Sequence, residues 1–194
     1  QMDPLYNTIN SKMFGWNYGQ QTNAVIQAVY MFLKQQTNFT VTQTKLNFGN
    51  GSSATCLCLC GGVTTTIDKK SYTIPVNIIL PNGFPFSGPK VFLPYKLDPE
   101  WAKSNPLIIN GWEVMNNYIH KWQGNLPQYN LGGLCYNLSK SFEMHPPLGE
   151  SPNTEKQKKN VVDSVTNMAS KTVGSIADNI QKFTASKKST VNEE

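Results

Sequence analysis

From Phe39 to Leu93 apolar side chains recur at every second residue, and the run is cut at Gly49-Asn50-Gly51, Gly61-Gly62, Asp68-Lys69-Lys70 and Pro81-Asn82-Gly83. A period of two sends successive side chains to opposite faces of an extended chain, while Gly, Asn, Asp and Pro supply the backbone angles of tight turns. The pattern predicts a four-stranded antiparallel meander. Its clearest strand is Tyr72 to Leu80, where Tyr72, Ile74, Val76, Ile78 and Leu80 share the core face. Thr73, Pro75, Asn77 and Ile79 share the other. Ile79 is apolar among polar neighbours there, and the same alternation puts Phe92 on that face one strand later. Both are expected on the solvent side of the sheet.

Helical spacing brackets the meander. Val25, Ala28, Val29, Phe32 and Leu33 mark a helix over 23–35, with Thr22 or Asn23 as its cap and Asn38 beyond its end. Leu131, Leu134, Cys135, Leu138 and Phe142 mark a second over 131–143, stopped by Pro146-Pro147. Residues 1–21 are polar without a period and read as an irregular lead-in. Residues 94–130 hold Pro94, Pro99, Pro106 and Pro127 and read as a long structured crossing. Helices segregated from one antiparallel sheet make an α+β domain, expected over 22–150. Beyond it, a polar linker leads to an apolar stripe at Val162, Val165, Ala169, Val173, Ile176, Ile180 and Phe183, an amphipathic helix or coiled-coil strand over about 161–184.

The net charge of +5 invites a nucleic-acid partner. All seventeen basic residues are lysines, so the side chain that best makes bidentate contacts to guanine and phosphate is absent, and nucleic acid is excluded as the expected partner. The start of the chain lacks the features of a signal peptide and no run of about 18 apolar residues appears, so a cytoplasmic location with at most peripheral membrane contact is expected. The cysteines are therefore read as free thiols. Cys56, Cys58 and Cys60 alternate along one strand, where same-face neighbours stand about 6–7 Å apart, too far to converge on one zinc. No metal and no cofactor is expected, and His120 has no partner cluster.

Six segments stand in order along the chain: Phe48-Gly49-Asn50-Gly51-Ser52-Ser53, Leu59-Cys60-Gly61, Tyr72-Thr73-Ile74-Pro75, Phe84-Pro85-Phe86-Ser87-Gly88-Pro89, Tyr118-Ile119-His120-Lys121-Trp122 and Pro146-Pro147. Their order and spacing resemble the ubiquitin-conjugating-enzyme variant (UEV) domain of the tumour-susceptibility type, a part of ESCRT-I. The resemblance covers about 22–150 and implies a ubiquitin-conjugating-enzyme-like fold. In active conjugating enzymes the nucleophilic cysteine lies on the crossing after the sheet, behind a His-Pro-Asn whose Asn stabilises the oxyanion. This chain has no cysteine between Cys60 and Cys135 and no His-Pro-Asn, its one His-Pro being His145-Pro146. The resemblance thus implies a protein that is not an enzyme.

It also implies two binding surfaces. Ubiquitin would be read by Asn50 at the first hairpin tip and by Ile79 and Phe92 on the outer sheet face, Ile79 standing where the family has an exposed tryptophan. Proline-motif peptides of the Pro-Thr/Ser-Ala-Pro type would lie against Tyr72, Thr73, Pro75, Pro146 and Leu148. Here the sequence departs from the family: Ile67 replaces a tyrosine, Thr73 an asparagine, and Gly149-Glu150 a Phe-Ser. The tail would join other ESCRT-I-like subunits through its helix. The expectation is a ubiquitin- and peptide-binding subunit of an endosomal sorting complex, peripherally associated with endosomes. The alternatives are a regulatory pseudo-enzyme that pairs with an active conjugating enzyme, and an adaptor that has lost both ligands.

Overall fold

The computed structural model of the chain describes residues 3–13, 18–47, 49–124 and 127–148. The meander is present as β1 (Thr40–Asn47), β2 (Ser53–Ile67), β3 (Lys70–Leu80) and β4 (Lys90–Phe92), each pairing antiparallel with the next. Gly61-Gly62 is not a turn, as the sequence suggested, but the middle of the continuous strand β2. These glycines serve close approach instead. A Cβ on Gly61 would stand 2.6 Å from the Asn38 carbonyl oxygen and 2.5 Å from the Phe39 ring, and one on Gly62 would stand 2.2 Å from a Thr73 methyl. Asn38, just past the first long helix, donates from its amide to the Gly62 carbonyl in the space so left.

The crossing is more ordered than its prolines suggested. It carries α3 (Pro99–Ser104), β5 (Ile108–Ile109), β6 (Glu113–Val114) and α4 (Asn117–His120). Strands β6 and β5 extend the sheet to six in the order β1-β2-β3-β4-β6-β5. Two-residue strands leave no readable period, so pairing with the β4 edge, not local sequence, makes them. Pro99 starts α3 at its first position, where a missing N–H costs nothing, and Asp98 caps it by accepting from the Glu100 N–H at 3.0 Å.

The long helices are α2 (Thr22–Gln35) and α5 (Leu131–Met144). Asn130 caps α5, accepting from the Gly133 N–H at 2.7 Å. The expected cap of α2 is different: Gln21 holds the cap position without a side-chain bond, and Thr22 accepts from the Tyr18 N–H at 3.0 Å to close a 3-10 turn at Gly19–Gln21. The lead-in is not irregular either. A further helix, α1 (Pro4–Lys12), buries Ile9 completely and packs on α2 and β1. Its stripe is one buried residue with Leu5 and Tyr6 beside it, too sparse to show as a period.

These helices cover one face of the sheet. Val25, Val29, Phe32, Leu134, Leu138 and Phe142 meet Leu57, Leu59, Ile74, Val76 and Ile78 in the main core, and each fully buried aliphatic side chain contributes roughly 1.5–3 kcal/mol. Two hydrogen bonds stitch α5 to β2: Thr65 Oγ1 donates to the Ser139 carbonyl and Ser139 Oγ to the Thr64 carbonyl, both at 2.7 Å. Among the described residues no helix is long and apolar enough to cross a membrane. The stripe over 161–184 lies outside the described residues.

One titration is built into the docking of α1. The Asp3 carboxylate accepts from the Tyr30 hydroxyl at 2.7 Å and from the Leu5 N–H at 2.9 Å, and these bonds, the Tyr30 one foremost, hold its pKa below the ordinary 3.8. A depressed carboxylate stabilises the fold fully above its unfolded pKa and loses that contribution as pH falls through the folded value. Acid below pH 4 is therefore expected to loosen α1 first. Amide exchange in residues 4–12, followed against that of α5 between pH 5 and pH 2.5, checks this.

Candidate functional site

The β1–β2 hairpin places Asn50 and Gly51 at its exposed tip, with Gly51 at φ +86°. Asn50 Oδ1 accepts from the backbone N–H of Ser52 at 3.0 Å and from its hydroxyl at 2.5 Å, so the side chain is tied into the turn. Its position at the tip of the first hairpin is the one expected from the sequence.

Ile79 and Phe92 do share the sheet face opposite the helices, but neither stands in solvent. Ile79 is 0% exposed and Phe92 8%. They belong to a second apolar cluster with Leu46, Cys56, Cys58, Cys60 and Trp112, and the Trp112 ring lies 4.9 Å from that of Phe92. Alternation fixes which face a side chain takes, not whether that face is covered, and this is why the exposure was misread. Trp112 comes from the β5–β6 turn, whose docking on β4 no local pattern announced.

The cysteine triplet lies on the same face, with Leu57 and Leu59 turned to the main core as the alternation required. The sulfurs of Cys58 and Cys60 approach to 3.6 Å, closer than strand spacing alone implied, because the two side chains lean together. Burial pushes the Cys56 thiol up to about 11, and Cys58 is held protonated by its bond to Cys60 and by burial. Cys135 sits buried on the core side of α5 with its pKa pushed up to about 12. Each of these three thiols is almost wholly protonated at neutral pH and shielded from a substrate.

The residues expected to hold a peptide are divided between surroundings. Tyr72 and Leu148 are buried in the main core, so neither offers a free wall, and Pro75 is also buried. Thr73, on the opposite face from Tyr72, and Pro146 are half-exposed. The segment carrying Pro146 and Pro147 is pinned to the crossing. Tyr95 donates its hydroxyl to the Pro147 carbonyl at 3.4 Å, and the Asn105 amide reaches the His145 and Pro146 carbonyls at 3.3 Å each. Sequence reasoning gave no sign of Tyr95 or Asn105, whose roles depend on contacts 52 and 40 residues away.

A groove of about 450 Å³ opens elsewhere, between α2 and the residues before α5, walled by Met31, Phe84, Pro85, Trp122 and Tyr129. The Trp122 indole donates to the Pro85 carbonyl at 2.6 Å, and its ring lies 5.7 Å from that of Phe84. Two of the recurrent sequence segments, 84–89 and 118–122, thus form one aromatic wall. His120 is exposed at the end of α4.

The comparisons with known proteins agree with this architecture. The family model described as the UEV domain matches residues 11–150. Among solved structures, the yeast Vps23 UEV domain in complex with a Vps27 PSDP peptide is 15% identical at a TM-score of 0.58, covering 78% of this chain and 99% of that one. A complex of the Vps23 UEV with ubiquitin is 16% identical at a TM-score of 0.48, covering 70% and 87%. The first is a likeness of fold. No curated protein matches the chain. The helices on one face, the meander with its crossing and the family pattern along residues 11–150 lead to one assignment: the chain belongs to the UEV domain family.

Proposed function

We propose that the chain is a non-catalytic reader of ubiquitin, and of proline-motif peptides, within an ESCRT-I-like endosomal sorting complex. Its membership of the UEV family over residues 11–150 carries this reading. The chemistry of the site supports the negative half: the crossing after the sheet has no thiol, and Cys135, the next along the chain, is a protonated core side chain. The long β1–β2 hairpin supports the positive half, since it carries Asn50 into solvent beside a sheet face that holds Ile79 and Phe92. Contacts of this kind are individually weak and gain strength when several modules are held in one assembly.

The peptide half has less support from geometry. Tyr72 and Leu148 are core residues, and a peptide would meet Thr73, Pro146 and the Tyr95–Pro147 bridge instead. This favours a second reading, an adaptor that keeps the fold and has lost the peptide ligand. Calorimetric titration of the full chain with ubiquitin and, separately, with a Pro-Thr-Ala-Pro peptide distinguishes the two. The proposal expects saturable ubiquitin binding that weakens when Asn50 is changed to Arg. Absence of heat with both ligands at millimolar concentration would leave only the adaptor.

A further inference from the structure

The sequence holds three Asn-Gly pairs, Asn50-Gly51, Asn82-Gly83 and Asn110-Gly111. In such a pair the glycine nitrogen can close a five-membered ring on the asparagine side-chain carbonyl carbon, because glycine has no Cβ to block the approach. All three asparagines are exposed, so exposure does not distinguish them. Their surroundings do. Gly83 is crowded: a Cβ there would stand 2.3 Å from Ser87 Oγ, and its carbonyl accepts from the Ser87 N–H at 2.8 Å. Gly111 has room, but its carbonyl is held by the Leu97 N–H at 2.9 Å, and Asn110 is fixed in a left-handed turn at φ +55°. Among the described residues neither Asn82 nor Asn110 has a donor on its side-chain oxygen. At the hairpin tip nothing lies within 4 Å of a Cβ added to Gly51. Asn50 Oδ1, alone of the three, receives two donors, the Ser52 N–H at 3.0 Å and the Ser52 hydroxyl at 2.5 Å.

We propose that Asn50 is a self-modifying site, which deamidates in water through a cyclic imide with Gly51 ahead of the other two pairs. Solvent base removes the Gly51 N–H proton, and the nitrogen attacks Asn50 Cγ. A new N–Cγ bond forms, and the carbonyl electron pair moves onto Oδ1. The two Ser52 donors already reach the atom where that negative charge develops, as oxyanion donors do in acyl transfer. Collapse then breaks the Cγ–Nδ2 bond, and the nitrogen leaves as ammonia after taking a proton from water. Water adds to one of the two imide carbonyls and opens the ring to aspartate or isoaspartate. One water enters, one ammonia leaves, and nothing is oxidised or reduced. Either product puts a negative charge on the tip of a hairpin whose one charged side chain, over residues 40–67, is Lys45. Isoaspartate also lengthens the backbone by a methylene and takes its carboxylate away from the position that Ser52 holds. A tip altered in this way meets ubiquitin less well; that consequence rests on the function proposed above, whereas the modification does not.

The three pairs form an internal comparison. The full chain is held at pH 8 and digested at intervals, and conversion of each asparagine is read by mass, with aspartate and isoaspartate separated chromatographically. Asn50 is expected to convert about tenfold faster or more than Asn82 and Asn110. Ser52→Ala removes the hydroxyl donor and keeps the N–H. It should slow Asn50 about threefold or more, the worth of one ordinary hydrogen bond. Ser52 is exposed, and unchanged rates at Asn82 and Asn110 in the variant report an intact fold. Conversion of Asn82 or Asn110 ahead of Asn50 would overturn the proposal. So would equal or faster conversion of Asn50 in the variant, which would show that Ser52 only restrains the side chain. Calorimetry with ubiquitin reads the consequence. Converted chain that binds as tightly as fresh chain would leave the modification established and take the tip out of the reading surface. Conversion in a chain that never binds ubiquitin would keep the modification and remove the ubiquitin reading.

Discussion

Replacing Phe142 with alanine is expected to destabilise the domain by about 3–5 kcal/mol, a large share of the roughly 5–15 kcal/mol that holds a domain of this size together. Phe142 is fully buried on α5, where that helix lies against β2. The truncation leaves a cavity that the neighbours cannot close, because α5 is fixed to β2 by the paired bonds of Ser139 with Thr64 and Thr65. Urea unfolding should show a lower midpoint with an unchanged slope. Tyr136, on the same helix but 65% exposed, is the control, and its change to alanine should alter stability by less than about 0.5 kcal/mol. A loss below 1 kcal/mol at Phe142 would mean that α5 does not pack as described.

The second large effect comes from removing one oxygen atom. The Tyr18 hydroxyl donates to the Leu80 carbonyl at 2.8 Å and accepts from the Leu57 N–H at 3.0 Å, both in the interior. Tyr18→Phe keeps the ring and leaves these two backbone groups without that partner, at an expected cost of about 2–4 kcal/mol. The Leu57 amide should lose most of its exchange protection while that of Ile74, mid-sheet, changes only with global stability. Unchanged protection at Leu57 would show that another group takes the place of the hydroxyl.

Tyr18 also illustrates what the sequence could and could not disclose. It lies in a stretch without period, and its role depends on a contact 62 residues away. The elements with a sustained period were legible: the buried set of α5, Leu131, Leu134, Cys135, Leu138 and Phe142, is the one its spacing predicts. So is the core face of β3 from Tyr72 to Leu80. Strands β5 and β6 were hidden because two residues carry no period, and α1 because it buries a single side chain. Gly61-Gly62 was misread for a different reason. Glycine pairs serve turns and close approaches alike, and only the positions of Phe39 and Thr73 tell which.

For the candidate site, the sequence placed Asn50 at the hairpin tip and Ile79 and Phe92 on the outer face, and the order of cysteines showed that the crossing carries no thiol. What alternation could not supply was the state of that face. Ile79 and Phe92 point where they were expected to point, but into an apolar cluster instead of water. Tyr72 was ambiguous in a similar way, since it satisfies two roles equally well in sequence, an aromatic wall or a core side chain, and the structure buries it in the core.

The central claim is that a conjugating-enzyme fold without its nucleophile reads ubiquitin through the hairpin tip and the outer sheet face. Amide chemical shifts of the isotope-labelled full chain, recorded while ubiquitin is added, test it most directly. The account predicts saturable shifts grouped at Asn50–Ser52, Ile78–Leu80 and Lys90–Phe92, with the groove beside Trp122 unaffected. Shifts grouped at that groove, or none at millimolar ubiquitin, would contradict it.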